Sequence, residues 1–265
     1  MTDALTPLID VALTVAREAG ALLVEGYRTR PQAREKARSD LVTEFDLSSE
    51  AHIKKRLAEL TPNIPVVAEE HGDVPIDELA WYCDPLDGTT NFVHGHPYFS
   101  VSIGLMKAEE PLLGVVHAPA LELTWTGARG TASTRNGRPC RVSDTQKLEH
   151  ALLATGFPPD RSRSPHNNFD AFVRAMQAVR GVRRCGSAAI DLCLVADGTY
   201  DGYWERSLHA WDLVAGTAVV LSAQGTVTSL DGTAARLSVG HLVASNGALH
   251  TQLLDLLGEQ PLRLP

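Results

Sequence analysis

Leu8, Ile9, Ala12, Leu13, Ala16, Ala19, Leu22 and Leu23 recur at intervals of three and four, which predicts an amphipathic helix from about Pro7 to Tyr27. Leu47, Ala51, Leu57 and Leu60 repeat the pattern over Asp46 to Leu60, and Thr61-Pro62 ends that second helix. The pattern then changes. Ile64–Ala68, Trp81–Cys83, Phe99–Met106, Leu112–His117 and Leu123–Thr126 are short apolar runs bounded by turn residues or charges, and they read as strands. Asn136-Gly137 marks a tight turn. This half predicts helices packed on a largely antiparallel sheet.

The segment Pro158–Pro165 is polar and proline-rich, which predicts a surface loop near the seam between two subdomains. Beyond it the elements alternate. Helices are expected at 169–179, 187–196 and 211–223, with strands at 182–184 and 202–204, as in a second α/β layer. The expected division is 1–145 for an N-terminal α+β subdomain and 146–265 for a C-terminal α/β subdomain, together one catalytic unit.

Composition narrows the function classes. The 265 residues are 44% hydrophobic and 21% charged, which suits a globular enzyme with a substantial core. Asp and Glu total 32 against 24 Lys and Arg, a net charge of −8. Such a chain is a poor partner for nucleic acid or an anionic membrane, since both need clustered positive charge. Residues 1–10 lack the basic start and apolar run of a secretory peptide. Cys83, Cys140, Cys185 and Cys193 form no CxxC pair and read as free thiols. A cytoplasmic location is the expectation.

The chemistry concentrates in Asp84-Pro85-Leu86-Asp87-Gly88-Thr89-Thr90-Asn91. Two carboxylates end a strand-like run, Pro85 stiffens the chain between them, and Gly88 permits close backbone approach. Thr89, Thr90 and Asn91 are read as caps of a following helix, whose N-terminal N–H groups suit a phosphate. Carboxylates beside a phosphate repel it unless hard divalent cations lie between, and Mg²⁺ prefers carboxylate and phosphate oxygens. Glu69 and Glu70 close an apolar strand, while Asp46 and Asp212 each begin a helix. Taken singly, Asp46 and Asp212 read as N-caps and Glu69 and Glu70 as solvated charges; together with Asp84 and Asp87 they suggest a metal site.

In combination these segments resemble the signature set of the inositol monophosphatase family. One family motif is matched by Asp84–Asn91 and another by Trp211-Asp212-Leu213-Val214-Ala215-Gly216. The similarity runs through Val42-Thr43-Glu44-Phe45-Asp46, Phe92-Val93-His94, Ser100–Gly104 and Gly186-Ser187-Ala188-Ala189, and covers roughly residues 8 to 257. The resemblance implies a layered αβαβα sandwich, usually a homodimer, with lithium-sensitive phosphatase activity. It implies that Glu69, Asp84 and the Leu86 carbonyl hold one Mg²⁺, that Asp84, Asp87 and Asp212 hold a second, and that a third lies near Glu69, with Mn²⁺ a possible substitute. Asp46 and Thr89, with Glu69, would position and deprotonate the attacking water. Gly88 and Thr89 N–H groups would hold the phosphate, with Glu70 and Thr90 as further candidates nearby. Gly186, Ser187, Ala188 and Glu205 would line the sugar side, together with Asp212. The family places a lysine near the site; Lys36 stands there, one residue closer to Asp46 than the family spacing. His94, His96 and His209 are read as structural or peripheral.

The resemblance implies a small sugar or inositol phosphate as substrate, first of all inositol 1-phosphate. Fructose 1,6-bisphosphate, histidinol phosphate and adenosine 3′,5′-bisphosphate are alternatives on the same scaffold. A catalytically idle regulatory module is the alternative of another class.

Overall fold

The computed structural model describes residues 2–37, 40–69, 78–164 and 167–258. Helix α1 (Thr2–Gly26) begins before the predicted start, with Pro7 in its second turn. A short antiparallel pair, β1 (Arg34–Ala37) and β2 (Asp40–Val42), leads into α2 (Glu44–Leu60). Strands β3 (Val66–Ala68) and β4 (Ala80–Asp87) follow, then α3 (Thr89–Val93) and β5 (Ser100–Lys107), β6 (Glu110–Ala118) and β7 (Leu123–Ala128). The hairpin β8 (Thr134–Arg135) and β9 (Arg138–Pro139) turns on Asn136-Gly137, both at positive φ, as the sequence predicts. The remainder runs β10 (Leu152–Thr155), α4 (Phe169–Ala178), β11 (Gly181–Arg183), α5 (Ala188–Ala196), β12 (Gly202–Glu205), α6 (Ala210–Ser222), β13 (Thr226–Thr228), β14 (Leu242–Ser245) and α7 (His250–Leu257).

Strands β3 to β9 form one sheet in chain order, antiparallel except for the β3–β4 pair. Strands β10 to β14 form a second sheet in the order β11-β10-β12-β14-β13, with β10 parallel to both its neighbours.

The period-two alternation of the strands assigns the layers. On β4, Trp81 and Cys83 belong to a core shared with Ala12, Ala16 and Leu23 of α1 and Ile53 and Leu57 of α2. Ala80 and Tyr82 face the other way, into a core shared with α5 and α6. On the second sheet, Ala154, Tyr203 and Ala244 face that same central core, while Leu153, Trp204 and Val243 face α4 and α7. The order is therefore α1/α2, first sheet, α5/α6, second sheet, α4/α7: the expected αβαβα sandwich. The central helices have apolar residues on most faces because both sides are covered by sheets. All nine residues of α5 are buried, and one of them is Asp191.

The seat of α6 on the first sheet is built from glycine. Gly104, Gly114 and Gly127 lie opposite one another across β5, β6 and β7. A methyl group on Gly114 would stand 2.1 Å from the Ala215 carbonyl, on Gly104 2.5 Å from Val214, and on Gly127 2.8 Å from Val219. The helix backbone thus rests directly on the sheet, which fixes the height at which its first turn, with Asp212, meets the strand ends.

Candidate active site

The strand ends and helix starts open on one cavity of about 1240 Å³. Glu69, Asp84, Leu86, Asp87, Gly88, Thr89, Thr90, Gly186, Ser187, Ala188, Glu205 and Asp212 all line it. The structure brings these sequence-predicted residues together from β4, α3, α5, β12, α6 and the residue after β3. Glu70 lies outside the described residues, as does the side chain of Lys36, whose backbone is in β1.

A local irregularity puts two carboxylates on the cavity. Residues three apart on a regular strand face opposite ways. In β4 the pairing with β5 slips between Asp84, opposite Ser102, and Asp87, opposite Ser100. Pro85 and Leu86 therefore stand against the single residue Val101, a bulge that turns Asp87 to the same side as Asp84. Pro85, with no N–H, suits a bulge.

Each carboxylate is engaged by donors of the chain. Leu86 N–H donates to Asp84 Oδ1 at 2.9 Å. Ser187 Oγ donates to Asp87 Oδ2 at 2.6 Å, and Ala189 N–H donates to the same oxygen at 2.8 Å, so Asp87 sits on the N-terminus of α5. His209 N–H donates to Asp212 Oδ2 at 2.8 Å. Among the described residues no three His, Cys, Asp or Glu side chains are already drawn into a ligand cluster. The donor set nevertheless fits a hard cation, because its charges oppose one another. Burial holds Asp84 well above the usual carboxylate range, and the charges of Glu69, Asp87 and Asp212 push the same way. Burial pushes Asp87 up to about 6 against its hydrogen bonds. Asp212 is raised by burial and by Asp87, Glu69 and Glu205. Positive charge brought into the cavity offsets all of these at once.

The helix starts correct two expectations. Asp46 and Asp212 are not N-caps. Thr43 and His209 hold those positions, and each Asp is the third helical residue, reaching back to the cap N–H in a capping box. Thr89, Thr90 and Asn91 lie inside α3, whose N-cap is Gly88 at φ 97°. A methyl on Gly88 would meet the Tyr98 carbonyl at 2.9 Å.

Asp46 is fully buried behind Thr89. Its Oδ2 accepts from Thr43 N–H at 2.8 Å and Thr43 Oγ1 at 2.6 Å, and its Oδ1 stands 2.9 Å from Thr89 Oγ1. The Thr89 hydroxyl has the Leu86 carbonyl as a second acceptor at 3.1 Å. Burial raises the Asp46 carboxyl above its usual range despite these bonds. Asn91 Nδ2 ties the loops together, donating to the carbonyls of Tyr98 at 2.7 Å and Cys185 at 2.8 Å.

The wall contributed by the second sheet is built around Glu205 at the end of β12. Tyr203 Oη donates to its Oε2 at 2.5 Å, and burial pushes its carboxyl up to about 7. Gly156 makes room for it, since a methyl there would lie about 2.0 Å from Glu205 Oε1. Phe157 and Phe169, ring centroids 5.2 Å apart, line this wall with Arg161 and Arg184. Of the three histidines, His209 lines the cavity and stacks on Trp211 at 4.5 Å, while His94 and His96 are exposed outside it. The sequence reading passed over Asp191, Gly156 and the two Phe residues. All four cysteines are free, two of them fully buried. No helix among the described residues is long and apolar enough to cross a membrane.

The model of the inositol monophosphatase family matches residues 4–262. A solved structure of inositol monophosphatase from Anabaena superposes with a TM-score of 0.89 at 40% identity, covering 97% of this chain and 98% of that one. The fructose-1,6-bisphosphatase/inositol-1-monophosphatase of Aquifex aeolicus is 36% identical over 251 residues, 94% of each chain. The Nus factor SuhB of Pasteurella multocida is 36% identical over 255 residues, 95% of this chain and 96% of that protein.

Proposed function

The chain belongs to the inositol monophosphatase family of phosphoric monoester hydrolases, and from that premise we propose that it hydrolyses a polyol phosphate, myo-inositol 1-phosphate first, with Mg²⁺ as cofactor. The observation that carries this reading is the division of one cavity by origin: one wall from the first sheet and the helix seated on it, with Glu69, Asp84, Asp87 and Asp212, and another from the second sheet, with the buried acceptor Glu205. The first wall is suited to cations and phosphate, the second to hydroxyl groups. The two outer cores support a division near residue 145 into two subdomains that contribute to one site, since one draws its buried residues from before that point and the other from after it, while the central core joins the halves.

In this reading Glu69, Asp84 and the Leu86 carbonyl would hold one Mg²⁺ and Asp84, Asp87 and Asp212 a second, with a weaker third near Glu69. Mg²⁺ held there would supply positive charge for the attacking oxygen, the phosphoryl group and the leaving alkoxide. Thr89 accepts a hydrogen bond from the attacking water while its own hydroxyl hydrogen is aimed at Asp46, 2.9 Å away. Asp46 is thus a positioning residue and proton acceptor acting through Thr89. The Gly88 and Thr89 N–H groups orient the phosphate, and Gly186, Ser187 and Ala188 line the sugar side. Glu205 accepts hydrogen bonds from the alcohol, with Tyr203 fixing its orientation.

Phosphate release from inositol 1-phosphate, fructose 1,6-bisphosphate, histidinol phosphate and adenosine 3′,5′-bisphosphate, with Mg²⁺ and with EDTA, tests the proposal. Inositol 1-phosphate should be turned over best, EDTA should abolish turnover, and Mg²⁺ should restore it. Full activity in EDTA would refute the metal assignment, and preference for another of the four would refute the substrate. The name Nus factor, carried by several relatives, favours a regulatory module as the second reading. No phosphate release from these four or from p-nitrophenyl, glycerol or other sugar phosphates would select it.

A further inference from the structure

Helix α5 lies between the two sheets, and its residues form part of the central apolar core with one exception, Asp191. Asp191 is 1% exposed. A carboxylate so buried is costly unless its oxygens are hydrogen-bonded, and it can accept about four bonds. Tyr98 Oη donates to Oδ1 at 2.5 Å, and no other hydrogen bond reaches the Asp191 side chain among the described residues. Asp191 nevertheless lines the cavity, as Glu205 does.

A purely structural carboxylate would be expected to have partners for both oxygens. Here one oxygen is fixed and the other is left with the cavity to supply its partner. The anchor is itself well placed. The Tyr98 carbonyl accepts from Asn91, whose backbone belongs to α3 on the phosphate side, so the orientation of Asp191 is tied to the loop that receives the phosphoryl group.

We propose that Asp191 is a specificity-determining residue for the alcohol half of the substrate, its Oδ2 accepting a hydroxyl hydrogen beside Glu205, with Tyr98 as its positioning residue. The inference deepens the reading of the cavity as a polyol phosphatase site and rests on it. Two carboxylate acceptors in one cavity select an alcohol with at least two free hydroxyls turned away from phosphorus. A simple alcohol or phenol can satisfy neither.

The test compares wild type, Asp191→Asn and Tyr98→Phe on inositol 1-phosphate and p-nitrophenyl phosphate with Mg²⁺. Asp191→Asn keeps the shape and an acceptor for Tyr98 but can turn N–H donors toward the substrate. The ratio of kcat/KM between the two substrates should fall by about ten- to a hundredfold, the worth of one hydrogen bond to a charged group, mostly through KM. Tyr98→Phe leaves the charge and removes its anchor; it should lower the same ratio by a smaller factor, which keeps the test open if Asp191→Asn folds poorly. A parallel loss on both substrates, or an unchanged ratio in both variants, would overturn the proposal. Wild-type turnover of p-nitrophenyl phosphate but not inositol 1-phosphate would refute the inositol reading alone. The ratio is then taken with the best of the glycerol and sugar phosphates, and the same fall is expected. No turnover of any phosphate ester would overturn both.

Discussion

Asp87→Asn separates the cost of the site from its use. Asp87 is 8% exposed and accepts two short hydrogen bonds, yet burial still leaves its carboxyl at about 6 instead of the ordinary 3.8. That rise is what remains after the hydrogen bonds have pulled the other way. A shift of roughly two units is worth about 3 kcal/mol. Because the folded pKa lies above the unfolded one, the contribution to stability is fully present below about 3.8 and lost as pH rises through about 6. At pH 8 the metal-free fold therefore carries the whole penalty. Asn is neutral at every pH, nearly isosteric, and can accept the bonds from Ser187 and Ala189 through its amide oxygen. In EDTA at pH 8 the variant should be the more stable protein by up to about 3 kcal/mol, or roughly 5–10 °C in melting temperature for a chain of this size.

The difference should shrink to near zero by about pH 4, where Asp87 is protonated in the fold. Adding Mg²⁺ should reverse the order at pH 8, since wild type gains binding energy that the variant has largely lost. Turnover should fall at least about a hundredfold at saturating Mg²⁺, as for loss of an electrostatic contact to the transition state. Thermal melts at both pH values, with EDTA and with a Mg²⁺ titration, read all of this from one pair of proteins. A variant less stable than wild type in EDTA at pH 8 would refute the reasoning, and would mean that Asp87 serves mainly as a charge on the N-terminus of α5.

Glu205→Gln should lower kcat/KM for inositol 1-phosphate by roughly ten- to a hundredfold, with a much smaller effect on p-nitrophenyl phosphate; equal losses would place Glu205 with the metal ligands or the fold. Gly156→Ala should reproduce that selective loss without touching the carboxylate chemically, because the added methyl needs the space held by the Glu205 carboxylate; unaltered selectivity would show that Glu205 moves aside freely. Lithium at millimolar concentration should inhibit turnover in the presence of Mg²⁺, and its failure to do so would count against the inositol branch of the family.

The helices and long strands were legible because their burial patterns are local. α1, α2, α4, α5 and α6 carry helical spacing or continuous apolar runs, and β4 to β7 are long enough to show as apolar runs. The strands of the second sheet were harder. β10 and β14 have four residues each and β13 three, and they pair with partners far away in the chain, so no short window contains the reason they are strands. Helix α7 has only eight residues, and the sequence reading assigned nothing there. Within the site, the acidic motif points to carboxylates that do line the cavity, but not to the bulge that lets Asp84 and Asp87 share a face, because a bulge is defined by the partner strand. Asp191 was passed over for a related reason. Ile190, Leu192, Leu194 and Val195 make the helix apolar on most faces, and the sequence does not reveal which part of a fully covered helix opens on a cavity.

The glycine row shows how such a non-local constraint nevertheless leaves a mark in the chain. Gly104, Gly114 and Gly127 each interrupt an apolar strand, where glycine weakens the element and normally marks a bulge or a close approach. One such residue says little. Three on successive antiparallel strands, in mutual register, define a track across the sheet. Only a helix backbone fills it, and α6 does so with Val214, Ala215 and Val219. Asp212 stands two residues before Val214, so its height above the strand ends is set by contacts that have no charge and line no part of the cavity. The carboxylate wall is therefore assembled from both ends: the bulge turns Asp87 toward Asp84, and the glycine track lowers Asp212 toward both. Mutual repulsion opposes this arrangement at every step, and the apolar packing beneath it is what holds the charges together at one cavity.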